Sequence, residues 1–336
     1  MITFDFRQRG GPELIQWLHR TGETQIIPAG TQLIKEGELA ESLLFVLDGD
    51  IQASTNDVDN REVRLNRLKA GAVLGEMSWL EQRPAVADIV AFSPIELLKV
   101  PFASILQLER TSCQLAGQLY RLLAQKLALQ IQHQNTIFAS QSRLLSEPLR
   151  KVLTFFAHLK ERDIHRLAEI GHLKRIEPGS LLIKQGEIVT ALYLILSGDG
   201  EILVKLEGAS QQVGRAQRGE LVGEMSLLLE EQQGASTDVL ASGGLDLLSI
   251  DRVSLAKQLA TDPALECRFH KALACMLSQR SRDQLLRHQL SQNSHSRESQ
   301  KVDNESLDIQ QLEAISRGAR HFDWICNHYQ KKGSAL

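Results

Sequence analysis

PAGTQLIKEGE at residues 28–38 and EPGSLLIKQGE at residues 177–187 are two copies of one motif, set 149 residues apart in a chain of 336. Three more pairs of blocks follow in the same order: LLFVLDGDIQAS at 43–54 with LYLILSGDGEIL at 192–203, GAVLGEMSWL at 71–80 with GELVGEMSLL at 219–228, and IELLKV at 95–100 with LDLLSI at 245–250. Four matched blocks at a nearly constant offset indicate an internal duplication. The sequence therefore predicts one domain present twice.

Each copy is a series of short apolar runs that are rich in leucine, isoleucine and valine and have the length of strands. Glycines separate these runs, at Gly30, Gly37, Gly49 and Gly71 in the first copy and at Gly179, Gly186, Gly198 and Gly219 in the second. Short strands separated by turn residues are typical of an antiparallel roll or sandwich. We therefore predict a mainly β chain with helices, in which two tandem antiparallel β-rolls span residues 24–102 and 172–251.

Helical patterns follow each roll. Residues 103–138 predict one or two helices, with an apolar stripe at three- and four-residue spacing: Leu115, Leu119, Leu122, Leu123, Leu127 and Ile131. This stripe must be buried, either on its own roll or by self-association or inter-domain packing, and the sequence leaves both open. The counterpart after the second roll is predicted to be helical from Pro263, and residues 147–171 are predicted to form short helices that lead into that roll.

The C-terminal region differs from both copies. Residues 291–308 are polar and predict a flexible linker, which an amphipathic helix follows. That helix either docks back onto the second domain or binds a partner protein or second subunit. Its candidate partner-binding residues are Leu312, Ile315, Phe322, Trp324 and Tyr329. The predicted segments are a first domain with its long helix, a second domain, and a linker with the C-terminal helix: residues 1–140, 141–292 and 293–336.

Composition is that of an ordinary folded protein, with 43% hydrophobic and 24% charged residues. A formal net charge of -3 offers no basic excess for a phosphate backbone, so nucleic-acid binding is not favoured. The sequence shows no signal peptide and no apolar run of about 20 residues, so we expect a cytoplasmic protein without a membrane span. The cysteines form no metal-binding pattern, and we expect Cys113, Cys267 and Cys275 to be buried in apolar helices.

Together, these motifs resemble the cyclic-nucleotide-binding domain family, of the catabolite activator and protein kinase A regulatory subunit type. The likeness covers most of residues 15–290 and rests on the PG…IxxxGE entry, the GEMSxL block and the helices after each roll. It implies an eight-stranded jelly roll with a phosphate-binding cassette, in which a Gly-Glu pair begins a short helix. In that cassette, backbone N–H groups face the cyclic phosphate, the glutamate accepts from the ribose 2′-hydroxyl, and an arginine pairs with the phosphate.

The first copy keeps the start of this cassette but lacks its arginine. The family's Pro-Arg-Ala-Ala has become PAVA at residues 84–87, so that Ala85 takes the position of the phosphate arginine. Arg83 lies two residues earlier and is a candidate, imperfect substitute. The resemblance implies these candidate ligand-binding residues in the first copy: Gly75, Glu76, Met77, Ser78, Arg83 and Ala85.

The second copy has no Arg or Lys at all between Glu224 and Arg252. Gln233 or Ala235 fills the position of the arginine, depending on the side from which the alignment is counted. Losing one charge-assisted phosphate contact costs about 1.5 to 3 kcal/mol, which is about tenfold or more in affinity. The candidate ligand-binding residues of this copy are Gly223, Glu224, Met225, Ser226 and Gln233.

Three functions remain open. The leading one is a non-enzymatic regulatory or scaffolding protein that senses an unknown ligand or holds a protein partner. A second is an effector that binds a cyclic nucleotide or cyclic dinucleotide through the first domain, and we expect no other cofactor. A third, a DNA-binding regulator, is disfavoured because the residues after Asn293 predict a linker and one helix in place of a winged helix-turn-helix. The sequence shows neither a recognisable nucleophile with its base nor a GxxxxGK phosphate loop, so it does not indicate an enzyme.

Overall fold

The computed structural model describes residues 4–56, 62–138, 148–206, 208–229, 234–292 and 309–333. The chain divides into two compact units. Unit 1 comprises Met1–Leu129 and Leu277–Glu298, and unit 2 comprises Gln130–Met276 and Ser299–Leu336. In this division the described residues 277–292 group with the first roll and the C-terminal helix groups with the second roll. The domain boundaries expected after residues 140 and 292 stay a prediction.

The roll of unit 1 contains, within the described residues, eight strands: β1 (Glu23–Ile27), β2 (Gln32–Ile34), β3 (Ser42–Asp48), β4 (Asp50–Asn56), β5 (Glu62–Lys69), β6 (Val73–Leu74), β7 (Asp88–Ala91) and β8 (Ile95–Pro101). These described strands pair antiparallel in two sheets of four, with the orders β1-β8-β3-β6 and β2-β7-β4-β5. Aliphatic side chains such as Val46, Ile51 and Leu97 fill the space inside the roll. The antiparallel roll predicted for the first copy is confirmed.

Helices precede, interrupt and follow this roll: α1 (Phe6–Arg9), α2 (Pro12–Thr21), α3 (Glu76–Glu81), α4 (Phe102–Thr111) and α5 (Cys113–Phe138). The long segment after the roll is thus two helices, which Ser112 separates. The extended backbone of Ser112 ends α4, and its hydroxyl accepts from the N–H of Leu115 at 3.3 Å at the start of α5.

The apolar stripe of α5 is buried within the folded chain. Leu119, Leu122, Leu123 and Leu127 are each at most 1% exposed. Burial of such a face is the main stabilising contribution to an amphipathic helix. The stripe is thus covered within the single chain. Self-association through residues 103–138 stays a prediction.

The roll of unit 2 contains, in the part that the structure describes, seven strands: β9 (Gly171–Ile176), β10 (Leu181–Ile183), β11 (Ala191–Leu206), β12 (Ala209–Gln217), β13 (Leu221–Val222), β14 (Asp238–Leu240) and β15 (Leu245–Asp251). The order along the sheet is β10-β14-β11-β15-β9, and β12 and β13 also pair with β11. The single strand β11 corresponds to β3 and β4 of the first roll. Gly198 continues the pairing of β11 with β15 through Leu245, whereas the equivalent Gly49 pairs with no described strand and separates β3 from β4.

The remaining helices are α6 (Pro148–Ala157), α7 (Glu161–Ile170), α8 (Glu224–Leu228), α9 (Arg252–Ala260), α10 (Pro263–Gln292) and α11 (Ile309–Gly333). In unit 2, Arg268 of α10 donates from Nε and Nη2 to the buried carboxylate of Asp163 on α7, at 2.7 and 2.8 Å. This bidentate pair fixes the helix before the roll against the helix after it. The predicted fold class, two tandem antiparallel β-rolls each followed by helices, is confirmed.

Three further predictions concern segments outside the rolls. Cys267 and Cys275 are buried as expected, but Cys113 is exposed, because it is the first residue of α5 and lies off the buried stripe. The predicted linker lies, from residue 293 onward, outside the described residues. Among the helices that the structure describes, none is long and apolar enough to cross a lipid bilayer.

Candidate functional site

The glycine that opens each cassette helix lies at a corner that only glycine can form. Gly75 precedes α3 with a φ of 82°, and Gly223 precedes α8 with a φ of 86°, both in the left-handed region. A Cβ on Gly75 would lie 2.5 Å from the carbonyl oxygen of Ser42, and one on Gly223 would lie 2.7 Å from that of Ala191. Backbone geometry and close packing therefore explain both glycines without any ligand.

Glu76, which the resemblance assigns to the ribose, is paired with a lysine of the chain itself. Glu76 is 3% exposed, and its carboxylate forms a hydrogen-bonded ion pair with Nζ of Lys126 on α5. A buried carboxylate needs such a partner, because burial alone favours its neutral form. The sequence interpretation missed Lys126, since it considered only the apolar stripe of that helix and no local pattern connects residues 50 positions apart.

Backbone hydrogen bonds identify the residue of the second copy that corresponds to Ala85. The N–H of Ala85 donates to the carbonyl of Glu38 at 2.9 Å, and the N–H of Ala235 donates to the carbonyl of Glu187 at 2.8 Å. Of the two alternatives that the sequence left open, Ala235 therefore holds the position, and Gln233 lies outside the described residues. Each cassette carries a methyl group where the resemblance implies an arginine.

Residues of α10 hold the C-terminal end of α3 within unit 1. The buried carboxylate of Glu81 accepts from Nε of Arg282 at 2.7 Å and from the hydroxyl of Ser278. Arg282 also donates from Nη1 to the carbonyl of Pro84 at 3.0 Å, next to Ala85. Burial raises the pKa of Glu81, while the charge of Arg282 and the hydroxyl of Ser278 oppose that rise. No sequence pattern predicted this cluster, because its members lie about 200 residues apart.

Arg83, the candidate substitute for the missing arginine, lies beside the same carboxylate. Its Nη1 is 3.8 Å from Oε2 of Glu81, and its side chain is 25% exposed. Glu81 thus has two guanidinium groups near it, those of Arg83 and Arg282. Of the other candidates in this cassette, Met77 is half-buried and Ser78 is buried.

The second cassette brings Glu224, Met225 and Ser226 together at the start of α8. Glu224 is 2% exposed, and Met225 and Ser226 are half-buried. The sequence carries no Arg or Lys from residue 225 to residue 251, so the charge that a phosphate requires is missing from the whole cassette. Within the described residues, no cluster of three or more His, Cys, Asp or Glu is placed to hold a metal ion.

The C-terminal helix α11 packs against α6 and α7 of the same unit. Phe322 and Tyr329 are buried, and the ring of Phe322 stacks on that of Phe156 with centroids 6.0 Å apart. The hydroxyl of Tyr329 donates to the carbonyl oxygens of Ala168 and Gly171 at the end of α7. The structure therefore has the docked arrangement, one of the two alternatives that the sequence left open.

The other candidate partner-binding residues of α11 are less enclosed. Trp324 is half-buried and stacks between His165 and His328, with ring centroids 4.2 and 4.9 Å apart. Ile315 is also half-buried, and the side chain of Leu312 lies outside the described residues. Partner binding by this helix stays a prediction, and Phe322 could contact a partner only by leaving its present position.

Comparison with known proteins finds one family and several relatives. Residues 24–112 and 173–262, more than half of the chain, match the cyclic nucleotide-binding domain. The cGMP-dependent protein kinase egl-4 of Caenorhabditis briggsae is 25% identical over 231 residues, which are 68% of this chain and 27% of the kinase. The cAMP-dependent protein kinase regulatory subunit of Mucor circinelloides is 24% identical over 258 residues, which are 76% of this chain and 52% of that subunit.

Among solved structures, the catabolite activator protein of Thermus thermophilus matches at 24% identity with a TM-score of 0.34. That match covers 44% of this chain and 66% of the other. The chain spans between about a quarter and a half of the length of the curated relatives named above.

Proposed function

This chain belongs to the cyclic nucleotide-binding domain family, and from that premise we propose that it is a non-enzymatic regulatory protein whose cassettes do not hold cAMP or cGMP in the family's way. In the family's site an arginine pairs with the phosphate and a glutamate accepts from the ribose 2′-hydroxyl. In the first cassette, Ala85 stands at the position of that arginine, and the carboxylate of Glu76 is already paired with Lys126.

The ion pair between Glu76 and Lys126 is the observation that carries this proposal. Nζ of Lys126 already bonds to Oε1 of this carboxylate, so a ribose hydroxyl would find fewer acceptor positions there and a charge that the ammonium group already balances. At the other end of the ligand, the cyclic phosphate would lose a contact worth about 1.5 to 3 kcal/mol. Both losses act on one ligand, so affinity falls well below that of an intact cassette.

The protein therefore acts through a protein partner. Relatives of this chain are named as regulatory subunits or as kinases that carry such domains. A regulatory chain without a nucleotide switch would present a constant surface to its partner, and other signals would control the complex. The effector alternative, with a nucleotide bound in the first roll, is the contrary outcome of the experiment below.

A thermal-shift titration of the full chain tests this proposal. The panel comprises cAMP, cGMP and cyclic di-GMP, each at millimolar concentration. A ligand bound at about micromolar Kd would stabilise the folded chain by about 4 kcal/mol under these conditions. We expect no change in Tm with any of the three. A saturable rise in Tm with one of them would instead establish the effector function.

A further inference from the structure

Unit 2 contains a cavity of about 510 Å³ that lies outside the cassette. Its lining comes from β9, β11, β15, the turn after β12, and α11. No residue of the sequence GEMS at 223–226 takes part. The volume falls in the range of pockets that enclose small organic molecules. The cavity is therefore a candidate binding site that is separate from the nucleotide site of the family.

The strands contribute a polar row to this cavity. Arg175, Asp246 and Ser197 are aligned across β9, β15 and β11. The hydroxyl of Ser197 donates to Oδ2 of Asp246 at 2.9 Å, and Nη1 of Arg175 lies 3.7 Å from Oδ1. Arg175 thus balances the charge of Asp246, the single acidic residue of the lining. Lys174 and Arg218 add two more cations.

Arg218 joins this row to the helix α11. Its Nη2 lies 3.6 Å from Oδ1 of Asp323 and 3.8 Å from Sγ of Cys326, and its guanidinium is 5.3 Å from the ring centroid of Phe322. The Arg218 and Asp323 side chains are 54% and 64% exposed, so their attraction is weak and easily exchanged for another anion. Arg218 is therefore placed to meet a negative group at the rim of the cavity.

The α11 wall is neutral and largely apolar. Burial raises the pKa of the Cys326 thiol and of the Tyr329 hydroxyl, so both groups stay uncharged at neutral pH. The Tyr329 hydroxyl is already bonded to backbone carbonyls at the end of α7. Leu173 and Leu196 add aliphatic surface. Cations at the rim and an apolar interior suit a molecule with one charged end and one apolar end.

We propose that this cavity binds a small organic anion with an apolar body, of the size of an aryl carboxylate or sulfonate. Arg218 pairs with the anionic group, and Tyr329, Leu173 and Leu196 contact the apolar body. Because α11 supplies one wall, the bound anion stabilises the docked position of this helix. The site is independent of the cassettes, and its occupancy does not depend on whether a cyclic nucleotide binds.

The test is a calorimetric titration of the full chain with 8-anilinonaphthalene-1-sulfonate, an aryl sulfonate of suitable size. We expect saturable binding at one site per chain. Arg218→Gln should weaken binding about tenfold, because it removes a charge-assisted contact. Ser197→Phe should also weaken binding, because its ring obstructs part of the cavity without changing the charge of the lining. Arg215→Gln is the matched control, since Arg215 is an exposed residue of β12 that does not line the cavity.

Two results would overturn this proposal. One is the absence of saturable binding to the wild-type chain. The other is equal affinity in the wild type and all three variants, which would show adsorption of the dye elsewhere. Circular dichroism of each variant shows whether it is folded, and Ser197→Phe decides the matter if Arg218→Gln alone disturbs the fold. Titration with cAMP reports on the cassettes separately, so failure of the two proposals can be told apart.

Discussion

Lys126 supports the first cassette from inside unit 1, where its ammonium group neutralises the buried carboxylate of Glu76. Removal of one partner of a buried pair costs about 3 to 5 kcal/mol, because it leaves the other charge uncompensated. We therefore expect Lys126→Met to lower the free energy of unfolding by about 3 kcal/mol. Urea denaturation followed by tryptophan fluorescence measures this, since Trp79 lies in the cassette helix.

The double variant Lys126→Met/Glu76→Leu is the control for this prediction. It removes both charges, and we expect it to regain most of the lost stability, because apolar replacements of a buried pair are often tolerated. A single variant as stable as the wild type would show that the ion pair does not hold the cassette.

Gly75 and Gly30 form a matched pair at the residue scale. Both have a left-handed backbone, with φ of 82° and 83°. A Cβ on Gly30 would meet no atom within 4 Å, whereas one on Gly75 would lie 2.5 Å from the carbonyl oxygen of Ser42. We expect Gly30→Ala to cost about 1 kcal/mol from the backbone alone, and Gly75→Ala to cost clearly more. Equal losses in denaturation midpoint would contradict the close approach.

At the scale of elements, Asp262 starts α10. Its Oδ1 accepts from the N–H groups of Ala264 and Leu265, both at 3.0 Å, and its Oδ2 lies 2.6 Å from Nη1 of Arg166. The N–H of Leu265, together with that of Ala264 and the charge of Arg166, lowers the pKa of Asp262 below its usual 3.8, although burial opposes the change.

The lowered pKa of Asp262 makes the stability of the folded chain decrease at acidic pH. Stability from Asp262 is fully present above about pH 4 and is lost as the pH falls through the lower pKa of the folded state. We expect Asp262→Ala to cost about 1 kcal/mol at pH 7, as for loss of a helix cap. Asp262→Asn, which keeps a capping oxygen, should cost less and should flatten the decline of stability below pH 4. Urea titrations between pH 3 and 7 measure both effects.

Gly318 decides how closely α11 approaches α6. A Cβ at this position would lie 2.0 Å from the carbonyl oxygen of Leu153, which is backbone and cannot yield. We expect Gly318→Leu to displace α11, so that amides of residues 309–333 exchange with deuterium much faster than in the wild type. Arg317→Leu, on the exposed side of the same helix, should leave exchange unchanged. Slow exchange in both variants would contradict the docked arrangement.

The elements themselves were largely predictable, because their signals are local. Leucine spacing predicted helical structure over residues 103–138, and the glycine-separated runs predicted both rolls. The sequence could not choose between one and two helices after the first roll, since the break depends on the hydrogen bond of the Ser112 hydroxyl. It also could not choose between docking and partner binding for α11, because an apolar stripe specifies burial but not the surface that covers it.

On the scale of the whole molecule, the duplication predicted the architecture, and the aligned cassettes showed that both lack the family's arginine. A substitution at one aligned position is visible in a sequence. The groups that stabilise the first cassette are not, since Lys126 and Arg282 come from helices 50 and about 200 residues away from the carboxylates they contact. Such contacts depend on how the helices pack, and periodicity does not encode that.

Isothermal titration of the full chain with cAMP and cGMP tests the central claim most directly, with the variant Ala85→Arg/Lys126→Met measured beside the wild type. The variant restores the phosphate arginine and removes the ammonium group bonded to Glu76. Circular dichroism first shows that it is folded, because loss of Lys126 lowers its stability. We predict no saturable heat with the wild type up to millimolar nucleotide, and binding at least about tenfold tighter in the variant. Binding to the wild type with a Kd near 1 µM, unchanged in the variant, would contradict the claim that the first cassette is closed by the chain's own lysine.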